Sequence, residues 1–379
     1  MHAQYKMAIV VGAGFFGSVM AERISNKLGW KVLLLDKRPH IGGNSWSAPD
    51  QETGIEVHTY GPHIFHTSHE ACWSYINRFT TFNGYRHTVW ATRKGKVYPL
   101  PFGLAAINLL LGRRLSPTEA RQWVADEVSK TGILDPRNLE EKALSLVGRP
   151  LYEAFVKQYT EKHWGMKARE LPAYVITRLP VRFTYDVGYY NDRWQGIPDD
   201  GYGALFRKML ANPLIEIRLN TDYFEVQNKL PPHDLLVYSG PIDQFFAYKH
   251  GRLRWRSVRF EKEVLNLPDF QGTSVMNECD GDVPYTRTHE FKHFTPERTF
   301  DNTVIFREYS YAPNPGDDVY YPVRTDADMA IRAKYKVETE QFPRVVFGGR
   351  LGAYAYLDME NTISTALDTF AGLKTRLSQ

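Results

Sequence analysis

Cysteine is nearly absent from this chain: of 379 residues only Cys72 and Cys279 are cysteines. They are far apart and in no C-x-x-C or metal-like spacing, so they read as free thiols in a reducing compartment, and a dithiol redox centre is excluded. No apolar run is long enough to cross a bilayer. The apolar opening is broken by a glycine turn and has no cleavage site behind it, which makes it a strand and not a signal peptide. The cytoplasm is therefore the expected compartment, with no membrane partner. An excess of one charge is lacking too. The 47 basic and 43 acidic residues leave a net charge of +4, too modest to suggest nucleic acid as a partner. There is no G-x-S-x-G, no Walker loop, no internal repeat and no low-complexity tract. No metal site is expected, and the chemistry has to come largely from a bound organic cofactor. What is plentiful is aromatic surface, 14% of residues, on which flat ligands stack. The length suggests two or three domains.

The start of the chain carries the sharpest local signal. Ala8-Ile9-Val10-Val11 reads as a buried parallel strand and runs into Gly12-Ala13-Gly14-Phe15-Phe16-Gly17, after which Ser18 to Lys27 reads as a helix. Gly12 permits the sharp turn, Gly14 lets the backbone approach a pyrophosphate, and Gly17 lets helix and strand pack closely. The helix N-terminus then attracts the anion. A second strand, Lys31 to Leu35, ends in Asp36, placed to bond a ribose hydroxyl. Downstream, Ile41-Gly42-Gly43-Asn44-Ser45 adds a glycine doublet that nicotinamide-binding turns do not need. With it the segment resembles FAD-binding proteins of the glutathione-reductase and amine-oxidase type.

Farther on the pattern turns helical. Ser116-Pro117-Thr118-Glu119 is a capping box with proline at the first helical position, opening a helix through about Lys130. Asn138 opens another, with Leu144, Val147, Leu151, Phe155 and Tyr159 at helical spacing. After Trp164 the period becomes two: Arg254 to Phe260, Tyr285 to Phe291 and Thr303 to Glu308 alternate as half-buried antiparallel strands do. Arg252, Arg254 and Arg256 then share one strand face, which reads as solvated. Leu235 to Gly240 and Val345 to Phe347 read as further buried strands, and Asp358 as the N-cap of a final helix to about Phe370. The expected fold class is α/β, an FAD-binding Rossmann-like domain with a helical insertion and an antiparallel β-sheet domain. The expected boundaries are 1–80 with 203–245 and 340–379 for the discontinuous cofactor domain, 81–165 for the helical insertion, and 166–202 with 246–339 for the sheet domain.

One segment is rich in ligand-like groups: Tyr159-Thr160-Glu161-Lys162-His163-Trp164-Gly165, then Arg178-Leu179-Pro180-Val181-Arg182. A helix ends at Gly165, and loops with Trp and Arg beside a helix end commonly bind ligands; equally, Trp164 can pack beneath the loop and Arg178 make a surface ion pair. These runs, with Tyr60-Gly61-Pro62-His63-Ile64-Phe65-His66, Gln195-Gly196-Ile197-Pro198, Gly240-Pro241-Ile242-Asp243-Gln244, Val283-Pro284-Tyr285-Thr286-Arg287 and Phe347-Gly348-Gly349-Arg350-Leu351, are similar to those of bacterial UDP-galactopyranose mutases. The matches run in the family's order from Val10 to about Asp358.

The resemblance implies an FAD-dependent isomerase that interconverts UDP-galactopyranose and UDP-galactofuranose without net redox change. In the family mechanism N5 of reduced FAD attacks the anomeric carbon, UDP departs, and the ring opens and recloses in a flavin–sugar adduct before UDP returns. The resemblance puts Arg178 and Arg287 at the diphosphate, where a guanidinium holds oxygens bidentately. It gives Phe155, Tyr159 and Thr160 to the uracil slot, and Trp164, Tyr189, Asn277, Tyr321 and Tyr356 to the substrate. His87 falls at a substrate-side position where the family also uses asparagine. For the cofactor it implies Gly12, Gly14, Phe16, Gly17 and Asp36, then Lys37, Arg38, Gly43, Asn44, His63, Ile64, Tyr223 and Arg350. The helix start at Asp358 and Met359 is aimed at the flavin and stabilises its anionic reduced form. His63 is the imidazole available for acid–base work, or for orienting the flavin. A reductant such as NAD(P)H and a homo-oligomeric state are also implied. A flavin amine oxidase or dehydrogenase shares the FAD signature but would produce or consume reducing equivalents. A UDP-sugar sensor leaves the flavin without purpose.

Overall fold

The structure is a computed structural model that describes residues 6–176 and 181–378. Arg178 lies outside the described residues. The N-terminal strand Met7–Val11 occupies the centre of a five-stranded sheet, flanked by Leu235–Tyr238 and Lys31–Leu35, with Val345–Phe347 and Ile215–Arg218 at the edges. Every pairing in it is parallel. A parallel sheet is covered on both faces, and alternate residues here are buried in two different clusters. Ala8, Val10, Val32 and Leu34 pack with Val19, Met20 and Ile24 of the helix Phe15–Leu28 and with Ile363, Ala366 and Phe370 of the last helix, Met359–Ser378. Ile9, Leu33, Leu35 and Leu236 pack on the other side against Tyr223, Val226 and Phe245. Strands from both ends of the chain thus build one nucleotide-binding scaffold. The last helix runs well beyond Phe370, because Leu373 continues its buried stripe.

The second sheet has seven strands, in the order Tyr321–Pro322, Trp255–Leu265, Thr303–Tyr311, Arg287–Glu290, Val275–Glu278, Val89–Arg93 and Lys96–Leu100. All neighbours are antiparallel except Val275–Glu278 with Val89–Arg93, which are parallel. The hairpin from Val89 to Leu100 falls in the span grouped above with the helices, yet it pairs into this sheet. Its Val89, Ala91, Tyr98 and Leu100 pack on Val147, Leu151 and Phe155, so one end of the sheet rests on the helical layer.

That layer starts and stops where its sequence signals lie. The helix Pro117–Ser129 carries a reciprocal capping box between Ser116 and Glu119. Asn138 caps Leu139–Leu151 by accepting from the Glu141 N–H at 3.0 Å. Gly148, at φ 72°, breaks that helix, and the five residues Tyr152–Val156 form a π-helical turn, a form that recurs at functional sites. The helix Lys157–Trp164 is then closed by Gly165 at φ 64°.

The arginine face is corrected at Arg256: the strand begins only at Trp255, Arg252 and Arg254 are exposed as expected, but Arg256 is buried, and Arg254 is not unpaired. Arg254 pairs with the buried carboxylate of Asp328 at 3.0 Å. Arg256 is buried and donates to the His163 carbonyl and the Ser310 hydroxyl, both at 3.1 Å, which ties the sheet to the helix end at Gly165. Their partners lie far away in sequence, so alternation alone does not reveal them. Arg254→Ala is accordingly not a silent change.

The glycine turn makes a direct prediction. A Cβ on Gly17 would overlap the Gly12 carbonyl oxygen. Gly17→Ala should destabilise the chain by about 1–3 kcal/mol, the usual cost of overpacking, and purify with reduced FAD content. Thermal unfolding and flavin absorbance measure the two effects; an alanine variant unchanged in both would contradict this role.

Candidate functional site

The cofactor end is built by backbone. Gly12, at φ 97°, turns the chain out of the first strand and donates to the Leu35 carbonyl at 2.8 Å. The helix that follows has Gly14 as N-cap, no side-chain cap and no acid in its first turn. Its free N–H groups and positive end therefore face outward without a protein anion, which fits a pyrophosphate. Gly43 packs on this turn so closely that a Cβ would stand 3.0 Å from the Gly14 Cα. Asp36 ends the second strand and accepts from the Ala13 N–H at 2.7 Å and the Arg38 N–H at 2.9 Å, which aims its carboxylate across the turn. Phe16 lies under Gly348, where a Cβ would collide with its ring. A cradle of this shape fits FAD.

The other residues expected at the cofactor distribute around that cradle. Arg38 donates to Asn44 at 2.9 Å, pairs with Asp318 at 2.8 Å and covers the Tyr60 ring. Lys37 also pairs with Asp318. His63 Nδ1 meets the Gly61 carbonyl at 2.7 Å, and burial pushes its pKa down to about 4, so its ring is neutral near pH 7. Ile64 is buried beside it. Arg350 donates to the Leu357 carbonyl at 3.0 Å, just before the final helix. Asp358 caps that helix, accepting from the Asn361 N–H at 2.8 Å, with Met359 its first residue. Tyr223 sits on the far face of the parallel sheet, edge-on to Tyr238.

A cation lies at the other end. Arg287 projects from its strand with 27% of its side chain exposed. Its Nε donates to the Tyr159 hydroxyl at 2.7 Å, and its Nη1 lies 3.8 Å from Glu308 Oε2. Burial opposes the charge of the guanidinium, but Glu308, then Tyr159, outweigh that and hold its pKa well above the usual arginine value. Tyr159 and His163 are one turn apart on the helix Lys157–Trp164, their rings parallel at 6.3 Å. His163 lies 5.5 Å from Tyr321, Tyr321 stacks on Tyr356 at 5.7 Å, and Arg350 covers both tyrosines at 5.4 and 5.6 Å. An unbroken row of rings thus joins Arg350, at the cofactor end, to Arg287. Tyr189 and His87, their rings 5.4 Å apart, both feel the Arg287 charge.

The remaining candidates lie deeper. Phe155 is buried between Tyr98 and Phe102, and Thr160 is buried beside the same π-turn. Trp164 is buried too, in the helical core, which is the packing alternative raised above. Asn277 is directly opposite Arg287 in the sheet, its Oδ1 sealed and without a partner among the described residues.

Two residues of this cluster escaped the sequence reading, Glu308 and His289, while His163 lay in the ligand-rich segment without a role of its own. Glu308 accepts from Thr286 at 2.9 Å and meets His289 Nε2 at 3.0 Å. Burial alone would raise its pKa; the Arg287 charge, then the His289 hydrogen bond, hold it well below the usual carboxylate range. The signal for them was alternation, since Arg287 and His289 share a face, but only the register pairs Arg287 with Glu308.

These shifts set an acid limit. Burial, then Arg287, keep His163 at about 4, beside His63 at about 4, against an ordinary value of 6.5. As pH falls from 6.5 towards 4 the unfolded chain binds protons that the folded chain does not. Stability therefore falls, by about 1.4 kcal/mol per pH unit for each such histidine. The contribution of Glu308 has the same sign: it is present above the ordinary glutamate range and lost as pH falls towards its depressed folded value. Urea unfolding from pH 7 to 4.5 should show this slope, and His163→Gln should reduce it. Equal stability across that range would contradict the buried neutral histidines.

Comparison with known proteins agrees with this layout. A sequence model of the UDP-galactopyranose mutase family matches residues 154–356, and one of NAD(P)-binding Rossmann-like domains matches residues 10–79. A probable UDP-galactopyranose mutase of Klebsiella pneumoniae is 42% identical over 364 residues, covering 96% of this chain and 94% of the relative. A dTDP-fucopyranose mutase of Escherichia coli is also 42% identical, over 95% of this chain and 96% of its own length. The fold matches a crystal structure of a reduced UDP-galactopyranose mutase with a TM-score of 0.76 at 16% identity, over 99% of this chain and 95% of that one. With a cradle that fits FAD at one end of a row of rings and a held guanidinium at the other, this chain belongs to the UDP-galactopyranose mutase family of FAD-dependent isomerases.

Proposed function

We propose that this chain interconverts UDP-galactopyranose and UDP-galactofuranose with reduced FAD bound. The observation that carries the reading is the row of rings from Arg350 through Tyr356, Tyr321, His163 and Tyr159 to Arg287. It spans a cleft with a dinucleotide cradle at one end and a cation at the other, as a sugar between a flavin and a diphosphate requires. The chemistry that bound reduced FAD supplies is a nucleophile, N5, for the anomeric carbon.

The chain's own residues do the rest. The uncapped N-terminus at Gly14 holds the FAD pyrophosphate, and Asp36 takes the ribose. The N-terminus at Met359 favours the anionic reduced ring. As UDP leaves, charge concentrates on its diphosphate. Arg287 stabilises the added charge more than it stabilises the diphosphate of the bound substrate, with Arg178 as the second cation. Tyr159 fixes the guanidinium through its Nε and leaves the remaining N–H groups for phosphate. Tyr189, Tyr321 and Tyr356 enclose the sugar and exclude water. Phe155 and Thr160 serve the nucleoside, and Asn277, opposite Arg287, serves the phosphates and sugar. His63, neutral and tied to Gly61, orients the cofactor. A reductant such as NAD(P)H sets the enzyme in its active state.

A second reading has one observation in its favour, the equal identity to the dTDP-fucopyranose mutase. Offering UDP-galactofuranose and dTDP-fucofuranose to the same reduced holoenzyme separates the two.

Dithionite should switch activity on, and many turnovers should follow without more reductant. Reductant consumed in proportion to product would sink the isomerase reading and favour an oxidoreductase. Arg287→Ala should lower kcat by roughly a hundredfold, the scale for losing one charge-stabilising donor, with FAD content unchanged. Lysine there should restore only part of the rate, because it lacks the planar fork. Near-normal turnover in the alanine variant would remove Arg287 from the diphosphate.

A further inference from the structure

His87 stands in the cleft wall with one ring nitrogen engaged and the other without a partner. It is 4% exposed, stacked on Tyr190 at 5.5 Å and edge-on to Tyr189 at 5.4 Å. Its backbone N–H donates to Gln195 Oε1 at 3.0 Å, which fixes the residue from behind. Its Nδ1 lies 3.1 Å from the Tyr85 hydroxyl, and that hydroxyl lies 2.5 Å from Ser274 Oγ. Burial, then Arg287, push the ring to about 3, so it is neutral in use.

A neutral imidazole has one N–H and one bare nitrogen. In this run the phenol is the most acidic donor and the bare ring nitrogen the strongest acceptor. The hydrogen bonds therefore run from Ser274 to Tyr85 to Nδ1, and the ring proton sits on Nε2. Nε2 has no hydrogen-bond partner among the described residues, and unlike His163 Nδ1 it is not sealed from solvent. The ring lies beside Tyr189, whose hydroxyl feels Arg287 first and then Tyr356. Tyr189 thus stands between the cation and the cofactor end, where the sugar lies in the reading above.

We propose that the Nε2–H of His87 is the specificity-determining donor of this site, selecting a sugar with a hydroxyl at C6 over its 6-deoxy counterpart. This rests on the reading of the cleft as a nucleotide-sugar mutase site. Fucose is 6-deoxygalactose, and two relatives of equal identity carry the two names, so likeness along the chain does not choose between the sugars. A local donor does. A C6 hydroxyl accepts from Nε2, whereas a methyl group leaves that N–H buried and unpaired, which disfavours the deoxy sugar.

The test compares UDP-galactofuranose with UDP-6-deoxygalactofuranose, which share base and ribose, on the dithionite-reduced holoenzyme. The wild type should prefer the hydroxylated sugar by at least tenfold in kcat/KM. His87→Phe should bring that preference close to one. Tyr85→Phe keeps the imidazole but removes the donor that sets its tautomer, so it should lower the preference and move the proton seen by 15N NMR away from Nε2. A wild type without the preference, or a preference kept in His87→Phe, overturns the proposal. If His87→Phe does not hold FAD, an unchanged preference in Tyr85→Phe overturns it instead. A wild type that retains FAD and isomerises neither sugar defeats the mutase reading itself, a different result.

Discussion

A carboxylate inside a sheet stays ionised only if charge and donors surround it, and the site depends on one that is surrounded in this way. Glu308 is buried, takes hydrogen bonds from Thr286 and His289, and faces Arg287. It compensates the guanidinium without using up its donors: the distance between them is 3.8 Å, while Tyr159 holds Nε at 2.7 Å. The cation is thus fixed by the protein's own groups. A charge fixed in this way needs no reorganisation to stabilise an opposite charge that develops beside it, which suits the role proposed for Arg287.

The same carboxylate ties the site to the fold. Arg287 and Glu308 lie on adjacent strands in direct register, so holding the cation also holds the sheet. Tyr159 and His163 come from the helix that Gly165 closes, and the His163 carbonyl receives Arg256 from the same sheet. Helical layer and sheet therefore meet at the cleft through polar contacts, with the hairpin from Val89 to Leu100 supplying the apolar ones. At the other end, Asp318, between the sheet strands Thr303–Tyr311 and Tyr321–Pro322, pairs with Lys37 and Arg38 beside the cofactor turn.

What was legible in the sequence was local. The turn from Gly12 to Gly17, the cap at Ser116, the helix end at Gly165 and the N-cap at Asp358 each act within a few residues. Their chemistry and position are read together, and the structure has all four. The α/β class followed from such signals, with the change of period from helix to strand. What was not legible depends on register. Glu308 and His289 are ordinary polar residues on alternating strands until pairing sets them beside Arg287. Arg256 read as solvated because the His163 carbonyl is brought to it only by folding, and the Asp328 partner of the exposed Arg254 was hidden for the same reason. His87 gave no sign of the Ser274–Tyr85 run behind it, since Ser274, just before the strand Val275–Glu278, is far away in sequence. The hairpin from Val89 was absorbed into the helical segment because its strand residues stand next to long apolar helices.

The account assigns binding and charge stabilisation to the chain, and nucleophilic chemistry to the cofactor alone. Reconstituting the apoprotein with 5-deaza-FAD separates these most directly, because the analogue keeps the shape of the ring and removes the nitrogen. The reduced, reconstituted protein should bind UDP-galactofuranose with the affinity of the FAD form and produce no UDP-galactopyranose. Substantial isomerisation by the deaza form would contradict the account, and would move the nucleophile from the flavin to a side chain of the cleft.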